Sequence, residues 1–180
     1  SKEELMSFVD YIKKGWEAAQ LKTDTIKELA ADEKGIGPAI GILAISGLCA
    51  GIGSLNPVGL LVFPFVRVIG GFIVVAIMHF VATTFFGGKG KLTSLAVPAF
   101  CASLITWVAI IPIIGPTFLA FLAGLWLLVV MVICVENVYG IDRGKAIGVV
   151  AIPVVLFFII GMMLVVMGFG LMAATGAFSS

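Results

Sequence analysis

The sequence predicts an all-α membrane protein: a bundle of five transmembrane helices preceded by an amphipathic cytoplasmic helical arm, amino terminus in, carboxyl terminus out. Three observations predict it. Of 180 residues, 61% are apolar and 12% charged, more hydrocarbon than one soluble core of this size encloses. The charges are segregated, with six of eleven basic and eight of ten acidic side chains in residues 1–34. Beyond that point, apolar runs long enough to cross about 30 Å of hydrocarbon follow one another to the end of the chain.

Residues 1–34 form the arm and residues 35–176 the membrane domain. From Leu5 onward, Phe8, Val9, Ile12, Trp16 and Ala19 recur at steps of three and four, with Lys13, Lys14, Glu17 and Lys22 on other faces. That period is the signature of an amphipathic helix. Asp24 or Thr25 is expected to cap a second short helix. Two placements stay open for the arm: along the headgroups with Trp16 at the interface, or docked on the membrane domain or another subunit. No short apolar core follows a basic start, so the first span is expected to direct insertion itself.

The first span is expected over residues 36–55. Asn56 and Pro57 then turn the chain, and the second span covers about 61–86, its start shallow and kinked near Pro64. A flexible basic loop at 87–91 leads to a third span at 95–114 that contains Pro98, Ser103, Thr106 and Trp107. Gly115 and Pro116 reverse direction without a charge before a fourth span at 117–135. The polar stretch 136–145 separates it from a fifth at 146–172. No internal repeat interrupts this order.

Orientation follows from the basic residues, because cytoplasmic loops keep positive charge. With five spans, the arm, the Lys89/Lys91 loop and the Arg143/Lys145 loop share one side and hold ten of the eleven. The eleventh, Arg67, lies inside the second span. This places the chain in the cell membrane as a multi-pass protein with a cytoplasmic amino terminus.

Several function classes are excluded or weakened. The near-neutral charge balance, +1 overall, leaves no footprint for nucleic acid. Cys49, Cys101 and Cys134 each sit in an apolar run without a partner at motif spacing, so no metal site or disulfide framework is expected. No nucleophile elbow, zinc-binding helix or phosphate loop is present, and no cofactor is expected. Coupled transport is weakened because no carboxylate falls in mid-span.

Two groups of residues remain as candidate sites. Lys89, Lys91, Glu136, Asn137, Tyr139, Asp142, Arg143 and Lys145 gather on the cytoplasmic face, where they form either a solvated surface or a docking surface for a protein partner or lipid headgroups. Arg67 and His79 form a candidate intramembrane polar pair. A charge near mid-membrane costs about 2.5–3.5 kcal/mol, so Arg67 either snorkels to an interface or occupies a polar cavity that takes an anionic headgroup or substrate. His79 lies twelve residues on, roughly 18 Å along a helix, so the two cannot share one small site. A hydrogen bond to a neighbouring helix is the expected use of that histidine. Glycines four apart at Gly37/Gly41, Gly47/Gly51 and Gly144/Gly148 suit close helix packing, either within the chain or, for the first span, onto a second copy.

At two places the sequence resembles the Yip1-domain family of five-span membrane proteins. His79-Phe80-Val81-Ala82 ahead of Phe86-Gly87-Gly88-Lys89-Gly90 is similar to that family's span-two ending. Val138-Tyr139-Gly140-Ile141-Asp142-Arg143-Gly144-Lys145-Ala146 is similar to its span-four exit. The resemblance spans residues 5–172 and implies the five-span fold and a membrane location; the absence of catalytic motifs beside a charged arm and two polar loops points to a non-enzymatic role through partner, lipid or self-association. The chain lacks the Asp-Leu-Tyr-Gly-Pro run of eukaryotic trafficking members, which places it with the prokaryotic branch and carries over no GTPase partner. The expected function is membrane organisation or a trafficking-like process, through partner, lipid or self-association at the cytoplasmic face. The alternative is a solute or ion pathway lined by Arg67, His79, Ser103 and Thr106.

Overall fold

The computed structural model describes residues 6–174, with side chains to residue 168. Among the described residues there are seven α-helices and no strand. Helix α1, Phe8–Ala19, opens with a reciprocal cap in which the Asp10 N–H donates to the Ser7 hydroxyl and the Ser7 N–H donates to the Asp10 carboxylate at 3.0 Å. Helix α2, Thr23–Ala31, starts earlier than its expected caps. Thr25 does not cap it because its hydroxyl donates instead to Glu17 at 2.9 Å.

Both arm helices are built into the bundle, so the docked placement is the observed one. Ala18, Ile26 and Leu29 are fully buried and belong to the same apolar core as the membrane helices. Gly15 is the point of closest approach, since a Cβ there would lie 2.5 Å from the Cys101 carbonyl oxygen. The indole N–H of Trp126 donates to the Ala19 carbonyl at 2.8 Å, tying the end of α1 to the fourth span. The polar faces neutralise one another through Lys14–Glu28 and Lys22–Glu17 pairs.

Among the described residues, five helices are long and apolar enough to cross a membrane, spanning Glu33–Gly53, Pro57–Phe85, Leu92–Ile110, Gly115–Tyr139 and Arg143–Gly168. The first contains α3, Ile36–Gly53, after a single 3₁₀ turn. Gly47 and Gly51 let the backbone of the next helix approach: added Cβ atoms would meet Phe63 and Pro64 at 2.6 Å and Leu60 at 2.9 Å. The Gly47/Gly51 face is therefore occupied within the chain.

Helix α4, Pro57–Phe85, begins four residues before its expected start. Pro57 occupies the first turn, where its missing N–H costs nothing, and the Asn56 side chain accepts the Gly59 N–H at 3.0 Å. The helix continues through Pro64 to Phe85 without interruption.

The third span is α5, Leu92–Ala102, and a 3₁₀ extension, Ser103–Ile110. The hydroxyls of Ser103 and Thr106 donate to carbonyls three residues back, at 2.6 and 2.7 Å, which suits the tighter coil. This span is the most enclosed of the five, with residues 95–104 buried almost throughout. Around it stand α1, α2, α3, α4 and α6.

A π turn, Gly115–Leu119, leads into α6, Ala120–Tyr139, which ends on Gly140 in the left-handed region at φ +63°. Helix α7, Arg143–Ala174, starts three residues later. The polar stretch expected as a ten-residue loop is thus mostly helix, with Glu136 inside the last turn of α6 and Lys145 inside the first turn of α7. Glycine at the αL position and Asp142 as the next cap compress the connection. Residues 154–168 of α7 are exposed on every side. An apolar helix of that kind suits a membrane span.

Candidate functional site

The two loops that carry the basic residues of the membrane domain meet at one end of the bundle, here termed the charged end. Gly88 and Gly90 lie flat on Tyr139: Cβ atoms would fall 2.8 Å from the Tyr139 Cβ and 2.7 Å from the Val138 carbonyl, respectively. The Gly88 N–H donates to Ala82 at 2.9 Å and the Lys89 N–H to the Tyr139 carbonyl at 3.4 Å. Gly87, at φ +68°, supplies the reversal that puts the chain there. Beneath the loop, Tyr139 is buried, and its hydroxyl lies 2.8 Å from His79 Nδ1 on α4. The phenyl ring of Phe86 rests over Gly148 of α7. Two segments about fifty residues apart therefore form one packed unit.

Charged side chains project from this unit. Arg143 Nε donates to Glu136 at 3.0 Å, joining α6 to α7 across their short turn. Lys145 pairs with Asp142 at 3.2 Å, and its backbone N–H donates to the same carboxylate at 3.1 Å. That backbone bond holds the Asp142 carboxyl below its usual pKa. Lys91 bonds Glu33, whose carboxylate raises the lysine pKa. Lys89 is exposed and, among the described residues, makes no ion pair or side-chain hydrogen bond. Such exposed pairs stabilise little, so they are an accessible pattern of charge rather than a fastening.

Of the eight residues singled out at this end, six are on the surface in mixed sign. Tyr139 faces inward, and the Asn137 amide returns to the Ile133 carbonyl of its own helix at 2.8 Å. The missed participants are Gly88, Gly90 and Phe86, whose signal was the glycine-rich loop itself.

A second feature lies within the span region. A cavity of about 640 Å³ opens between α4 and α7 over a floor made by α5 and α6. Its walls are almost wholly apolar, with Arg67 the only charged lining residue among the described residues and Ser103 beside Phe100 on the floor. The space exists because Gly70, Gly71 and Gly124 contribute no side chain; Cβ atoms on Gly70 and Gly124 would meet nothing within 4 Å. Arg67 is half-buried and, among the described residues, has no hydrogen bond or ion pair. His79 and Thr106 do not line this cavity, so the four polar residues named for a pathway are divided.

Among the described residues, no group of histidine, cysteine and carboxylate side chains is placed to hold a metal. The three cysteines are free and buried. The Yip1 domain family model matches residues 10–175, nearly the whole chain. Comparison with curated proteins and with solved structures gives no match.

Proposed function

Because the chain belongs to the Yip1-domain family and is a multi-pass membrane protein, we propose that it acts without catalysis, recruiting a protein partner to the cell membrane through its charged end on the cytoplasmic side. The observation that carries this reading is the locking of two distant loops by Gly88 and Gly90 against Tyr139, which gives Lys89, Asp142, Arg143 and Lys145 a common base. A rigid surface loses little conformational entropy on binding. The mixed sign favours a protein with a complementary pattern over a bare anionic membrane, which selects uniformly basic clusters.

A photo-crosslinking residue at position 89, compared with one at Ser54 beyond the other end of α3, tests the reading. A protein adduct is expected from position 89 alone. Charge reversal at Arg143 and Lys145, which leaves the Asp142 cap in place, is expected to abolish it while the thermal unfolding midpoint stays within about 1–2 °C. An adduct that survives charge reversal, or adducts only to lipid or to a second copy of the chain, contradicts partner recruitment.

The cavity beside Arg67 favours one competing reading, a solute pathway. Flux through purified protein in liposomes that disappears in Arg67→Gln would promote it over docking.

A further inference from the structure

The cavity between α4 and α7 also supports an inference independent of the docking surface: we propose that Arg67 and this cavity bind one anionic phospholipid from the surrounding leaflet, phosphate on the guanidinium and an acyl chain over Phe100. Four observations converge on this occupant. Arg67 has five N–H donors and no acceptor among the described residues, although no side-chain nitrogen or oxygen there is both fully buried and unsatisfied. Its donors therefore face the open space. A guanidinium in apolar surroundings calls for an anion, and phosphate fits its planar fork in bidentate fashion.

The rest of the lining specifies what the anion is attached to. About 640 Å³ of space faced by Leu43, Val74, Phe100, Leu127 and Met131 suits hydrocarbon and offers no array of polar groups for a soluble solute. That volume accommodates a chain while the rest of the molecule stays in the bilayer.

The approach is sideways. Val66 on α4 and Val154 and Phe157 on α7 form the rim, and all three are exposed on the lipid-facing surface. A free phosphate ion reaching this opening would have to cross hydrocarbon, whereas a phospholipid already in the leaflet moves in laterally.

Depth also agrees. Arg67 is the eleventh residue of α4, roughly 15 Å along the helix from Pro57. Helical side chains lean toward the amino-terminal end, which for α4 is the end away from the charged loops. The guanidinium therefore reaches toward that leaflet, and a lipid phosphate drawn below the headgroup plane closes the remaining distance. The bound anion would offset the insertion cost of the arginine.

Native mass spectrometry of the purified full chain, titrated with phosphatidylglycerol or phosphatidylcholine, provides the test. Wild type is expected to retain one phosphatidylglycerol in preference to phosphatidylcholine. Arg67→Gln should weaken that binding about tenfold or more, the scale of a lost charge-assisted hydrogen bond. Gly124→Leu, which places a side chain in space where a Cβ meets nothing, should weaken it similarly with the guanidinium intact. Lys89→Gln should leave it unchanged, and millimolar inorganic phosphate should not displace the lipid. Equal retention by wild type and Arg67→Gln, equal binding of the two lipids, displacement by inorganic phosphate, or a matching loss in Lys89→Gln would overturn the assignment.

Discussion

Replacing Gly88 with alanine adds one methyl group where the two charged-end loops touch. The new Cβ would lie 2.8 Å from the Tyr139 Cβ, 3.0 Å from its ring and 3.2 Å from the Ala82 carbonyl oxygen. Ordinary contact begins near 3.4 Å, so about 0.6 Å must be opened against a buried residue whose own position is fixed by α6 and His79. Overpacking of this kind costs about 1–3 kcal/mol. If the loop lifts, the Gly88 bond to Ala82 goes too, adding about 0.5–1.5 kcal/mol. Together the loss is roughly 2–4 kcal/mol, concentrated at the charged end. Gly87→Ala is the internal control: its Cβ meets nothing within 4 Å, and only the left-handed backbone at φ +68° is penalised, by about 1–2 kcal/mol. Unfolding in detergent, combined with amide exchange at residues 88–90, measures both. Gly88→Ala should lower the midpoint more than Gly87→Ala and speed exchange at the Lys89 amide. Equal midpoints, or protection unchanged in Gly88→Ala, would show that the loops are not locked together and would remove the basis of the docking surface.

Three further outcomes are expected. Gly47→Ala presses a Cβ to 2.6 Å from the α4 backbone, where no side chain can turn away, and should cost about 3 kcal/mol, whereas Gly70→Ala, with nothing within 4 Å, should be close to neutral; denaturant titration in mixed micelles compares them. The His79–Tyr139 contact should give a coupling of about 0.6–1.7 kcal/mol in a double-mutant cycle of His79→Phe and Tyr139→Phe, a value of zero meaning that the 2.8 Å approach is idle. Asp142 is held below its ordinary pKa of 3.8 by the Lys145 N–H, so the stabilisation it gives is complete above that value and is lost as pH falls through the lower folded value. The protection factor of the Lys145 amide, its exchange relative to the intrinsic rate at each pH, should therefore fall in acid, and Asp142→Asn should abolish that fall.

Helix content and number were legible because span length and flank charge are large, redundant signals. Twenty apolar residues between polar turns admit few other folds. The starts and ends of helices were less legible. Helix α4 begins at Pro57 because Asn56 caps it, a local signal outweighed by the presence of Pro64 and Arg67 downstream. In sequence the stretch 136–145 reads as a loop, because a run of polar residues between apolar spans signals solvent exposure. In the structure Gly140 ends one helix and Asp142 begins the next, so most of those polar residues are helical.

Placement of the arm was the least accessible feature. Its amphipathic period fits headgroups and protein equally well, and what decides is tertiary: Gly15 against Cys101, and Trp126 reaching Ala19. The cavity was likewise invisible residue by residue. It arises from the adjacent Gly70 and Gly71 together with Gly124, more than fifty residues further on, facing a common space with Arg67. The junction of the two glycine-containing loops was foreshadowed only in that both were singled out. Their contact through Tyr139 required the fold.

The central claim, that both charged loops lie on one side of a membrane crossed five times, is tested most directly by single-cysteine labelling in intact cells with an impermeant maleimide. The native Cys49, Cys101 and Cys134 are buried and contribute little background. Cysteines at Lys89 and Lys145 should stay unlabelled until the membrane is opened, while cysteines at Ser54 and Ile113 should react at once. Labelling of Lys89 and Lys145 from opposite sides would contradict the threading, and with it the shared surface on which the proposed function rests.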